Sequence, residues 1–171
     1  MGKEQLGVSE ERQKAEKLGV VIFIIDPSGC VYTQIEEEID NVTGKKPGEY
    51  SVICEKRDES EGWRENITRG INEETGIPED KQTSILDFDK AVIWETGFID
   101  KVWATVMVIP CSLPEEFMAM VLNGSGTDAV VPVGFLPRDE FENLDLRAGV
   151  RNILDKFGTY IFKRDENLNI N

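Results

Sequence analysis

The spacing of apolar positions changes along the chain, and each change marks an element. Residues 20–25, VVIFII, form an unbroken and mostly β-branched run, which predicts a strand buried on both faces. The turn formers Asp26, Pro27, Ser28 and Gly29 follow, so 30–35 is expected to return as a partner strand. Beyond the turn-rich stretch 41–48, residues 50–54 predict another short strand. The period then lengthens to four: Trp63, Ile67 and Ile71 give a helix one apolar stripe. That helix is expected to begin at 58–61, where a capping residue precedes an acid by three positions, and to stop at Gly76 before Pro78. Downstream, 90–94 and 102–109 read as strands, 114–122 as a short helix and 130–136 as a late strand. A last helix over 146–157 carries Val150, Ile153, Leu154 and Phe157 at core spacing before Gly158. Strands mixed with a few helices indicate an α/β or α+β sandwich.

The 171 residues suit one domain, expected over 18–162 between a charged segment 1–17 and a polar tail 163–171. Thirty-three acidic side chains against nineteen basic ones give a net charge of -14, a field that opposes polynucleotides and anionic membrane surfaces. It also opposes any phosphorylated small molecule, so a phosphate-bearing substrate requires a divalent cation to screen it. With no histidine, the chain cannot build a Ser-His-Asp or Cys-His nucleophile or a histidine-ligated zinc or iron centre. Carboxylates remain, and they suit hard ions such as magnesium, calcium or manganese. Cys30, Cys54 and Cys111 lack paired spacing, and the charged residues 1–19 lack an apolar signal core. The expectation is a soluble protein of the reducing cytoplasm, with Cys54 a buried structural thiol.

The chemistry concentrates in 61–77, EGWRENITRGINEETGI. Successive helical residues advance by about 100°, so positions 70, 73 and 74 should share one face and offer it the carboxylates of Glu73 and Glu74. The segment resembles the Nudix box, G-x5-E-x7-R-E-U-x-E-E-x-G-U with U aliphatic. Glu61, Arg69, Ile71, Glu73, Glu74, Gly76 and Ile77 fall at its spacing; Glu55 stands at its leading glycine and Gly70 at the glutamate after its arginine. The turn at 44–50 and the stretch 131–141 before the last helix also fit, so the resemblance spans 18–157.

What the resemblance implies is a Nudix-type α/β/α sandwich with a mixed β-sheet, hydrolysing a nucleoside diphosphate linked to another moiety with Mg²⁺ or Mn²⁺. It implies Glu73 and Glu74 as metal ligands, Glu61 assisting and Arg69 bracing the helix. Asp128, before the late strand, matches the acid that completes such a shell, with Glu95 a weaker alternative and Asn66 facing water. Gly70 offers no oxygen, and on this reading Gly70→Glu would restore a third carboxylate to the shared face, tightening metal binding with little change in metal-free stability. The same glycine supports a second reading, a non-catalytic ligand-binding or regulatory domain. The expected partner is a small phosphorylated molecule, with homodimerisation left open. Trp94, Phe98 and Trp103 are expected in the core.

Overall fold

The apolar run becomes the inner strand of the sheet because only a strand covered on both faces can bury every one of its side chains. In the computed structural model, which describes residues 12, 14, 15, 17–41, 44–99, 101–124, 126 and 129–162, it lies within β1 (Lys17–Ile25). Side chains alternate as strand geometry demands. Val20, Ile22 and Ile24 enter one core cluster, and Phe23 the other. The strands β2 (Val31–Glu36), β3 (Tyr50–Ser51), β4 (Ile53–Lys56), β5 (Val92–Ile99), β6 (Val102–Pro110) and β7 (Val130–Leu136) complete a mixed sheet. β6 runs parallel to β1 from Lys17↔Val102 to Ile25↔Pro110; β4 pairs antiparallel with β1 from Gly19↔Lys56 to Ile22↔Ile53. β5 flanks β6, while β2 carries β3 and β7. In β7, Pro132 lies opposite Gln34 beside a register shift.

Helices cover both faces. The helix α1 (Trp63–Thr75) seats Ile67 and Ile71 in the first cluster, with α2 (Glu79–Ile85) and α3 (Pro114–Asn123) contributing Ile85 and Phe117. On the opposite face α4 (Arg138–Glu142) and α5 (Ala148–Phe162) bring Phe141, Ile153 and Ile161 against Phe23. The layering is α/β/α, as the resemblance implies. Among the described residues, no helix is long and apolar enough to cross a membrane.

Several boundaries differ from the sequence reading, each for a local reason. Helix α1 starts at Trp63 rather than at 58–61, because the Asp58 carboxylate accepts from the Ser60 amide at 2.9 Å and hydroxyl at 2.7 Å and closes a turn instead. Gly62 is the cap residue, and Glu65 reaches back to its amide at 3.1 Å. The strand expected over 50–54 breaks at Val52, since β3 pairs with β2 and β4 with β1. Helix α5 continues through Gly158 to bury Ile161. Helix α2 has no apolar repeat, burying only Gln82 and Ile85, and so gives no periodic signal. The tail 163–171 and most of 1–17 lie outside the described residues.

Candidate functional site

The site is built where α1 crosses β4. Burial of Ile67 and Ile71 fixes the rotation of α1, and Gly76, at φ 74°, ends it in the left-handed conformation that favours glycine. That rotation sends Arg69 across the corner between helix and strand. Its Nε donates to both Glu61 oxygens at 3.2 Å and its Nη2 to Glu61 Oε2 at 3.1 Å. Nη1 lies 3.3 Å from Glu55 Oε1 and 3.4 Å from Glu73 Oε2. The hydrogen bonds it donates to Glu61 are the largest influence holding this guanidinium protonated, its pKa being raised. Asn66 is buried rather than facing water: its amide bonds the backbone of Asp58, and Oδ1 accepts from Arg69 at 3.2 Å.

Gly70 faces β4, not open space. A Cβ at this position would lie 2.8 Å from both Cβ and Cγ of Glu55, so the methylene stem of Glu55 occupies the volume a side chain at 70 would need. The expectation that Gly70→Glu leaves metal-free stability little changed is therefore corrected. Burial pushes the Glu55 carboxyl up to about 7, helped by the hydrogen bond and negative charge of Glu73; the Lys56 amide and Arg69 pull the other way.

Glu73 and Glu74 part company. Glu73 joins the Arg69 cluster, whereas Glu74, 6% exposed, turns into the interior, where Oε1 accepts from the Cys54 amide at 3.2 Å and Oε2 from Gln34 Nε2. The face expected to unite 70, 73 and 74 is divided because a sector of about 100° spans both the rim and the buried side of a docked helix. Glu95 is engaged with Arg57 at 3.7 Å, and Asp128 lies outside the described residues. Cys54 is half-buried, and burial chiefly pushes its thiol up to about 11, keeping it protonated.

Beyond Glu74 the interior holds a cluster absent from the sequence reading. Glu36, 1% exposed, pairs with Arg147 at 3.1 Å and with Lys45 at 3.1 Å. Beside it opens a cleft of about 170 Å³ whose charged lining is four basic side chains, Lys17, Lys45, Lys56 and Arg147, against two acidic ones, Asp40 and Glu55. No motif announces these residues. The signal available in the sequence was narrower: the two departures from the box, Glu55 and Gly70, are each other's missing residue.

Arg69→Ala is expected to lower stability in chelator by about 1–3 kcal/mol, since three carboxylates lose their shared cation. A urea midpoint equal to that of the parent would rule out this bracing role.

Neither a protein-family model nor a curated protein matches the sequence. Solved structures do match. RenU, a Nudix hydrolase from M. smegmatis, aligns at TM-score 0.55 and 14% identity over 88% of each chain. The chain has the Nudix fold. A mutT/nudix family protein from Listeria innocua aligns at TM-score 0.50 and 17% identity, over 87% of this chain and 96% of that one. A MutT studied from Aliivibrio salmonicida and Vibrio cholerae aligns at 0.53 and 12%, over 86% and 98%. Within this fold, α1 carries Arg69, and the acids that meet it are Glu55, Glu61 and Glu73.

Proposed function

We propose that this Nudix domain is a divalent-cation-dependent hydrolase of small molecules containing a diphosphate linkage, with a nucleoside diphosphate joined to another group as the substrate class. The observation that carries the reading is the corner at Arg69: three carboxylates, Glu55, Glu61 and Glu73, share one guanidinium on the helix that resembles the Nudix box. One positive charge against three negative ones leaves a site that favours a further cation. Hard oxygen donors fit Mg²⁺ or Mn²⁺. Among the described residues no group of three or more acids is arranged to enclose a metal ion, but Mg²⁺ needs only one or two carboxylates, its other positions going to water and phosphate oxygens.

In this reading Glu73 holds the cation. A bound cation of this kind neutralises phosphate charge and lowers the pKa of water for attack at phosphorus. Arg69 fixes the carboxylates at their distances, and Glu61 assists by holding the guanidinium in place through both of its oxygens. Lys17, Lys45, Lys56 and Arg147 outnumber Asp40 and Glu55 in the cleft lining, even with Lys17 paired to Asp40 at 2.8 Å and Lys45 and Arg147 paired to Glu36 at 3.1 Å, and this excess of cations supports capture of an anionic group.

The test is a panel of nucleoside diphosphate derivatives incubated with Mg²⁺ or Mn²⁺. Release of phosphate or a nucleoside monophosphate from at least one member is expected, with loss of turnover in Glu73→Gln. Ligand-dependent rises in melting temperature with no product from any member would replace this reading by that of a non-catalytic binding domain.

A further inference from the structure

We propose that strand β4 and helix α1 have exchanged a carboxylate, so that Glu55 supplies to the cation site the oxygen that Gly70 lacks. This rests on the cation-site reading above and assigns a role to a residue at a position where the Nudix pattern has glycine.

Three observations converge. The two departures from the pattern are complementary: the glycine position holds glutamate and the glutamate position holds glycine. They meet in space, since a Cβ on residue 70 would lie 2.8 Å from Glu55 Cβ and Cγ and 3.4 Å from Oε2. The Glu55 side chain thus runs through the volume that a residue-70 side chain would fill. It also ends where such a side chain would be sought, 3.3 Å from Arg69 Nη1, the same nitrogen that Glu73 approaches to 3.4 Å.

Packing alone does not require this arrangement. A glycine beneath a crossing strand accommodates any long residue, and an apolar one would cover the helix without bringing two like charges together. Two carboxylates drawn onto one Arg69 nitrogen repel each other in the metal-free protein, and a cation between them would turn that repulsion into ligation. Glycine is needed at 70 because any Cβ would displace the Glu55 stem. The exchange also changes how the site is held, moving one oxygen from the helix to a strand hydrogen-bonded to β1.

Calorimetric Mn²⁺ titration and melting in chelator test the exchange on Glu55→Gln, Glu73→Gln, Gly70→Glu and the double variant Glu55→Gly/Gly70→Glu. Glu55→Gln should weaken Mn²⁺ binding by about tenfold or more while melting no lower than the parent in chelator. Gly70→Glu alone should melt lower, two side chains claiming one volume. The double variant should recover the parent's melting temperature and its Mn²⁺ affinity to within about threefold. The exchange is overturned if Glu55→Gln binds Mn²⁺ like the parent, or if the double variant folds but binds no better than Glu55→Gln. Loss of binding in Glu73→Gln but not in Glu55→Gln would sink the exchange and leave the cation site standing. Undiminished binding in both, or none in the parent, would remove both.

Discussion

Glu36→Ala should lower the stability of the folded chain by about 3–5 kcal/mol, the usual cost of leaving a buried charge without its partner. Glu36 is 1% exposed and serves two cations, Arg147 and Lys45, each at 3.1 Å. Arg147 is itself nearly buried, so alanine at 36 strands a guanidinium inside the protein and leaves an ammonium without its anion. For a chain of this length the loss corresponds to a fall in melting temperature on the order of 10 °C. Arg147→Met should cost less, because Glu36 keeps Lys45 and the thioether refills most of the vacated volume. Scanning calorimetry of the two variants decides the matter: a loss under about 1 kcal/mol for Glu36→Ala would mean that water reaches the cluster and screens it.

The adjacent glutamates give the second large effect through their contrast. Glu74→Ala should destabilise by about 2–4 kcal/mol, since it removes the acceptor for the Cys54 amide and for Gln34 Nε2 in the interior. Glu73→Ala should change stability in chelator by less than about 1 kcal/mol, because its carboxylate sits partly exposed at the rim, where the like charge of Glu55 offsets part of its attraction to Arg69. Cation binding should respond in the opposite order, strongly to residue 73 and weakly to residue 74. Urea denaturation separates the two. Equal destabilisation would mean that the division of the helix face is wrong.

Residues 20–25 declared a doubly covered strand by composition alone, and the four-residue stripe Trp63, Ile67, Ile71 fixed which way α1 faces. Those signals are local, carried by residues that touch the same element. The site is less legible because its decisive contacts join distant segments. Glu36 and Arg147 are 111 positions apart, and nothing in either neighbourhood marks them as partners. Spacing placed Glu73 and Glu74 together on a helix in isolation, but docking against β2 and β4 drew one inward and left the other at the rim. Gly70 was visible as a missing ligand; that Glu55 fills its space depends on how β4 crosses the helix, which no window of sequence contains.

The parallel pairing of β1 with β6 carries a consequence for the order of assembly. β4 and α1 are separated only by residues 57–62, so the corner where α1 lies on β4 can form from contacts close in sequence, and β1 meets β4 across residues 26–52. Its main partner, however, is separated from it by all of residues 26–101. Closing that loop comes at an entropic cost before the long ladder can repay it, a topology that slows folding. As the chain leaves the ribosome, the corner bearing Arg69 emerges well before β6, and until then the apolar flank of β1 has no strand to cover it. The helix that bears Arg69 is therefore made early and waits on a sheet that closes late.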